Sequence, residues 1–405
     1  MPFQKLAILG GSSPFTAALV NSLKDAVDKL PSFEILLHGR NQENLSLMEA
    51  YAHRVLQGSG WQVGSTTTMG RVLDGANIVI HQIRYGGMDR RILHEEFSER
   101  CGVPPDETLG PAALLATLEM LPDLRETCDA VVEYSPDAWT LNLTNPLSYV
   151  TSFMTSHGLH RCIGLCELPT MTAHEIANLC GLESHEMDWH YTGLNHRGFI
   201  FQVSHSGRSL LEELPLVLGK RLIGGISGEQ IAELNAVPLK YFTLAIGKQG
   251  PIRPGRGAFL KHLAGEIINE VRSTQTEVLS SLEKRNPVWY PFAVVPMIVA
   301  LYSDQPSKQI VNSAGEDGIV WESIATVSRS GIAIVPQPEC PKPVRIWLDK
   351  FARHEQLALS AIIEPTQDNI VEALAADPSL NDRDVESMAQ KFWHALEASS
   401  SQHAS

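Results

Sequence analysis

Five short segments of this 405-residue chain concentrate side chains that bind ligands, polarise bonds or move protons: HQIRYGGMDRR (His81–Arg91), PPDETLGPA (Pro104–Ala112), NLTNP (Asn142–Pro146), GLCELP (Gly164–Pro169) and GLNHRGF (Gly193–Phe199). The thiol of Cys166 and the imidazole of His196 are groups able to ligate a divalent cation, although their separation fits no finger-type zinc spacing. From the residues alone two readings stand: a pair of metal ligands, or a buried small apolar cysteine and a hydrogen-bonded turn histidine. Near the start, Gly10, Gly11, Ser12 and Ser13 form a GGSS turn. Such a turn either presents the free N–H groups of a helix start to a pyrophosphate or only packs a strand on a helix, and its spacing is not G-x-G-x-x-G. The next strand ends in His38, Gly39 and Arg40 with no acid for the ribose hydroxyls of NAD. Arg40 therefore reads either as a partner for the 2′-phosphate of NADP or as a solvated turn residue.

The elements that must position these groups follow from periodicity. Lys5 to Gly11 is a buried-strand run ending in glycines, and Thr16 to Leu30 repeats apolar residues at helical spacing. Phe33 to Arg40, Ala76 to Ile83, Ala138 to Pro146 and Arg161 to Pro169 read as further strands, each followed by helical or turn-rich sequence. This alternation predicts an α/β fold, a doubly wound parallel sheet of Rossmann type with helices on both faces, and ligands beyond the strand ends. After about residue 200 the pattern predicts a mixed, largely helical lobe, with a hairpin in FIFQVSHSGRSL and an amphipathic stretch over Gly257 to Leu282. The expected division is 1–195 for the nucleotide-binding domain, 196–396 for substrate, metal and oligomerisation, and 397–405 for a flexible tail.

Composition bounds the partners. A formal charge of −14 gives no basic face for polyphosphate and excludes nucleic acid, so an anionic substrate must be met by a few local arginines. No apolar run reaches the length of a membrane span and no signal-peptide pattern is visible, which predicts a cytoplasmic protein. The six cysteines are too sparse for a disulfide scaffold and read as reduced thiols.

Taken in order, the five segments resemble the family 4 glycoside hydrolases, whose pattern is a GGGS turn, I-R-V-G-G, G-x-E-T-x-G-P, N-x-x-N-P, C-N/D-x-P and G-L-N-H. The similarity continues through ALYSD and QIVNSAGEDG (Ala300 to Gly318) to HEQLALSAI near the C-terminus, and so covers nearly the whole chain. The resemblance implies a lactate/malate dehydrogenase-like architecture, NAD (or NADP) as cofactor, and manganese or another divalent metal on Cys166 and His196. It implies a sugar site lined by Glu107 and Asn145, with Arg84, Arg91 and Arg256 around a pocket that holds a 6-phosphate in many relatives. The activity it implies is glycoside cleavage by oxidation at C3, metal-assisted elimination and hydride return, in a homodimer or homotetramer acting on a small-molecule glycoside.

The chain departs from that pattern at two places. Where the family carries its tyrosine base, in T-Y-L-x-Y-Y, this sequence has VPLKYF (Val237 to Phe242) with Pro238 in the tyrosine's position. Tyr241, three residues on and expected on the same helical face, is either the substitute base or a packing residue. After the metal cysteine stands Glu167 rather than Asn or Asp, a carboxyl that serves as general acid to the leaving oxygen or hydrogen-bonds to a sugar hydroxyl. With the usual base missing, two other outcomes are open: a sugar or hydroxy-acid dehydrogenase that consumes NAD(P), and an inactive sensor.

Overall fold

The computed structural model describes residues 3–248, 250–285, 287–380 and 383–403. Six parallel strands, β1 (Gln4–Leu9), β2 (Phe33–His38), β3 (Gln62–Thr66), β4 (Ile78–His81), β5 (Trp139–Asn142) and β6 (Cys162–Gly164), lie in the order 3-2-1-4-5-6. That is the order of a dinucleotide-binding sheet, with its switch point between β1 and β4. Leu6, Ala7, Ile8 and Leu9 of β1 are fully buried, as a strand covered on both faces by helices requires. The strand β3, QVGST, escapes a reading of hydrophobic runs because it is a partly exposed edge strand with a single buried residue.

The same sheet continues into the second half. An antiparallel set of β7 (Asp188–Leu194), β8 (Arg197–His205), β9 (Arg208–Ser209), β10 (Ala236–Pro238), β11 (Ser307–Ala314), β12 (Val320–Ser328) and β13 (Gly331–Ile334) joins through β11, which pairs with β6 at Asn312 and Gly164. The boundary expected at 195/196 thus falls in the turn between β7 and β8, inside one hydrogen-bonded sheet. Strands hold a larger share of this half than expected, because the hairpin β11–β12 buries a run of three residues on β11 and an alternating set at the start of β12 rather than following helical spacing.

Three element boundaries differ from expectation. The helix at Thr16 stops at Lys24, followed by a short 3₁₀ turn at Val27–Lys29. The stretch from Gly257 is a helix over Arg256–Ser273 only; Glu270 then accepts from the backbone N–H groups of Ser280 and Ser281 at 2.8 and 2.9 Å, turning the chain into a separate 3₁₀ segment. Of the expected tail 397–405, residues 397–403 belong to the last helix, Val385–His403, with Ser399 buried and bonded to Arg90, while 404–405 lie outside the described residues. Its low apolar content is offset by packing of the helix body, where Phe392 meets Phe97 edge-on at 6.1 Å.

Candidate active site

The glycine turn is built for close approach. Gly10 has φ +91, and a Cβ there would lie 2.7 Å from the carbonyl oxygen of Gln82; one on Gly11 would lie 2.8 Å from the Cβ of Leu37. Both glycine N–H groups donate to the carbonyl of His38, at 3.1 and 2.6 Å. Among the described residues the N–H groups of Ser12 and Phe15 have no backbone acceptor, so these, rather than the glycines, are free for an anion at the helix start. Gly39 presses on Ser12, where a Cβ would stand 2.3 Å from its hydroxyl, and Arg40 is exposed at the end of β2.

The second cluster gathers what the sequence scatters. Cys166 follows β6 and is buried; His196 occupies the tight β7–β8 turn at φ 64, and its ring stacks on Tyr241 at 4.0 Å and 17°. The Nδ1 of His196 is buried without a hydrogen-bond partner among the described residues, which speaks against a hydrogen-bonded turn histidine. Burial, with Lys240 nearby, lowers the imidazole to about 3, so it is a neutral lone-pair donor at any ordinary pH. Burial and the charges of Glu167 and Glu322 raise the Cys166 thiol, so a proton leaves it only when a cation arrives. A two-ligand metal site that leaves its other positions to substrate and water fits this donor pair. Among the described residues no group of three or more metal-ligating side chains exists.

Pro238 and Tyr241 do not share a helical face. Pro238 ends β10, pairing with Phe199, and Tyr241 caps the one-turn helix Phe242–Ala245, because the proline and the buried Val237 continue the sheet edge instead. Tyr241 nevertheless reaches the centre. Its phenol is raised well above the usual range by burial and by Asp106, Glu107, Cys166 and Glu167. Glu167 is partly buried, and burial raises its carboxyl while Lys240 and Arg285 act the other way. Asn145 stands in the turn after β5, half-buried.

Arginines form the third cluster. Glu107 accepts from Arg84 at 2.7 Å and pairs with Arg91, which also binds Glu95 at 2.9 Å. Burial alone would raise the Glu107 carboxyl, yet the two guanidinium groups hold it well below the usual carboxylate range. Glu95 in turn accepts from the N–H of Gly257 at 2.9 Å, fixing the start of the helix that carries Arg256. Glu107 is therefore first the anchor of two arginines.

Sequence reasoning missed four residues here. Arg285 lies between the rings of Phe15 and Trp289, 4.4 and 4.7 Å from their centroids, and burial lowers it to about 10. Asp106 accepts from the backbone N–H and hydroxyl of Thr108 at 2.7 and 2.8 Å; burial raises it to about 6, and its Oδ2 has no partner among the described residues. Asn195 neighbours Cys166, easing its ionisation, and donates to Glu322 at 3.2 Å. Glu322 also accepts from Asn312 at 2.9 Å and from the hydroxyl of Tyr191, so a fully buried carboxyl braces Asn195, which stands beside both proposed ligands. An acid at an inward position of the alternating strand VWESIATVS was the available signal.

Burial raises Glu322 to about 7 from an unfolded value of 4.5. The folded protein thus keeps a proton that the unfolded chain releases, and the stability this adds is present below 4.5 and lost as pH rises through 7. Glu322→Gln removes the titration. In metal-free protein with chelator, its stability relative to the parent is expected to rise between pH 5 and 8 by up to about 3 kcal/mol, since each tenfold change in proton affinity corresponds to about 1.4 kcal/mol. Denaturant melts at several pH values measure this, and a pH-independent difference contradicts it.

A dinucleotide-type sheet with a thiol, an imidazole and an arginine cluster beyond its strand ends defines the class of nucleotide-linked enzymes. Residues 5–182 match the Family 4 glycosyl hydrolase family and residues 191–380 its C-terminal domain, and the chain belongs to this family of glycosidases. It is 26% identical over 405 residues to the probable 6-phospho-beta-glucosidase of Bacillus subtilis, covering 92% of each chain. The solved 6-phospho-beta glucosidase from Thermotoga maritima with manganese, NAD+ and glucose-6-phosphate superimposes with TM-score 0.84 at 21% identity, over 98% of each chain. The lactate dehydrogenase from Cryptosporidium parvum gives 0.57 at 15% identity over 89% of this chain and 99% of its own, a likeness of fold alone. No helix among the described residues is long and apolar enough to cross a membrane.

Proposed function

We propose that the chain hydrolyses an O-glycoside whose sugar carries a phosphate, with NAD or NADP as a redox-neutral cofactor and a divalent metal such as manganese between Cys166 and His196. The observation that carries this reading is an excess of guanidinium withdrawn from water. Arg84 and Arg91 share Glu107, whereas Arg256 and Arg285, both lowered by burial, have no carboxylate within ion-pair distance among the described residues. Both are partly buried, and guanidinium charge held partly out of water without a carboxylate partner favours an anionic ligand such as a substrate dianion. The names of the relatives above support the same substrate class.

When bound, the metal and the nicotinamide would supply Lewis acidity and hydride acceptance beside these side chains. The remaining work falls to the protein. Arg84, Arg256 and Arg285 orient the anionic end of the sugar, and Asn145 contacts its hydroxyls. Glu167, biased towards its protonated form by burial, holds a proton for the leaving oxygen. We assign proton removal from the sugar to Tyr241, and the three carboxyls and the Cys166 sulfur that oppose its ionisation make that role dependent on positive charge entering the pocket. The absence of an acid after β2 and the exposed Arg40 support tolerance of NADP.

The test is a panel of nitrophenyl glycosides of both anomers, each with and without a 6-phosphate. Charged hydrogen bonds contribute about 1.5–3 kcal/mol each, so two lost arginine contacts correspond to on the order of 100-fold in kcat/KM in favour of the phosphorylated member. Equal rates for the two members contradict the phosphate assignment.

A further inference from the structure

The turn that carries His196 is two residues long: Leu194 pairs with Arg197 across the hairpin of β7 and β8, leaving only Asn195 and His196 between them. His196 takes φ 64, a left-handed conformation that a non-glycine residue rarely adopts and that persists only where its surroundings enforce it. Both of its neighbours in sequence are tied into the interior. On one side Asn195 donates to the buried Glu322 at 3.2 Å. On the other stands Arg197, whose buried guanidinium plays no part in the arginine cluster around Glu107.

Arg197 is gripped from the C-terminal part of the chain. Its Nη1 donates to Nδ1 of His354 at 2.6 Å and lies 4.0 Å from the Glu355 carboxylate, while its Nη2 lies 3.7 Å from Asp377. His354 and Glu355 belong to the helix Lys342–Ile363, and Asp377 follows the helix Gln367–Ala376. Burial lowers His354 to about 4, so at ordinary pH it is neutral and accepts at Nδ1, with its Nε2 3.6 Å from Asp377. Asp377 is fixed in turn by the backbone N–H and hydroxyl of Ser379, at 2.9 and 2.8 Å. The ring of Phe351 covers the guanidinium at 5.5 Å, and Phe199, on the same face of β8 as Arg197, stacks on that ring at 6.4 Å. Adhesion alone accounts poorly for these charges, because buried ion pairs add little over apolar residues of similar volume and Phe199 already packs on Phe351. What a planar guanidinium adds is direction: it engages partners from two elements in fixed geometry, and so fixes the backbone beside His196.

We propose that Arg197 is a positioning residue for the metal centre: held by His354, Glu355 and Asp377, it keeps the left-handed turn in which the imidazole of His196 lies against Tyr241 and is set to bind a cation. The proposal rests on the metal site assigned to Cys166 and His196 above. It makes the C-terminal helices, which carry none of the residues assigned to the site, a condition of metal affinity.

The experiment uses Arg197→Met/Asp377→Asn, which removes a positive and a negative charge together and leaves an acceptor for Ser379, and Arg197→Lys, which keeps the charge but not the fork. Manganese is titrated into protein holding NAD and followed by the loss of the free-ion paramagnetic resonance signal, so no turnover is needed. The Kd for manganese is expected to rise on the order of 10-fold in the double variant, the low end of what supports of metal ligands give, and by less in Arg197→Lys. The melting temperature of the metal-free double variant stays close to the parent's, because no unpaired charge is left by the exchange. In metal-free protein with 13C-labelled histidine, the ring proton resonance of His196, assigned by its loss in His196→Gln, reads the stacking on Tyr241 at 4.0 Å. Its upfield ring-current displacement is expected to disappear in the double variant. Should that variant fail to fold, Arg197→Lys carries both measurements. A parent that takes up no manganese defeats the metal site assigned above, and the His196 resonance then decides: its displacement lost supports the positioning role. An unchanged His196 resonance, or unchanged affinity in a manganese-binding parent, would overturn it, as would a lowered melting temperature as the sole effect.

Discussion

Cys166→Ser is expected to lower kcat by more than about 100-fold, beyond the 10–100-fold typical of residues that only support metal ligands, and to weaken manganese binding in parallel. The thiolate is the softer and more strongly bound donor, and a serine hydroxyl does not ionise to replace it. The fold should survive, because Cys166 is a small side chain in a buried site and serine is close to it in size. The melting temperature of the metal-free variant then stays near that of the metal-free parent, while the stabilisation that manganese gives the parent disappears. Manganese titration and thermal melts separate the two effects. Full activity in the serine variant removes Cys166 from the metal site.

Gly10→Ala acts on the cofactor and leaves the thiol–imidazole pair untouched. The left-handed backbone at φ +91 costs an alanine about 1–2 kcal/mol, and the new Cβ would sit 2.7 Å from the carbonyl of Gln82, on the neighbouring strand's exit. Relief requires the turn to move away from β4, which displaces Ser12 and Phe15 from the helix start. At about 1.4 kcal/mol per decade, the Kd for NAD should rise by at least on the order of 10-fold, and the melting temperature should fall. Fluorescence titration with NAD reads the first and a melt the second. Unchanged NAD affinity would mean that the turn only packs strand on helix.

The parallel half was legible because its strands are buried on both faces and read as continuous apolar runs; Leu6 to Leu9 leave no other interpretation in a chain of alternating helices. The polar edge strand β3 and the hairpin β11–β12 lack that signal, and a helical reading of the second half undercounted them. At the site, motif segments pointed to Cys166, His196, Glu107 and the arginines Arg84 and Arg91; of these the fold pairs both arginines with Glu107 and stacks His196 on Tyr241. Arg285 was invisible because its importance lies in two aromatic neighbours, one of them the distant Phe15, and no local pattern records such a sandwich. Glu322 was hidden for the same reason, since its partners Tyr191, Asn195 and Asn312 come from two other strands and a turn. Tyr241 was found by position but for the wrong geometry: a proline-ended strand and a turn, not a helix face, deliver it to His196.

The central claim of the proposed function is that a nicotinamide cofactor would be required but not consumed over a turnover. Its most direct test is to mix manganese-loaded protein with NAD, and separately with NADP, and a nitrophenyl 6-phosphoglycoside, following phenolate release and the reduced-nicotinamide band together. The account predicts phenolate released over many turnovers with no net accumulation of reduced cofactor, and none released when cofactor or metal is withheld. Reduced cofactor accumulating in proportion to substrate without phenolate would contradict it and make this chain a dehydrogenase.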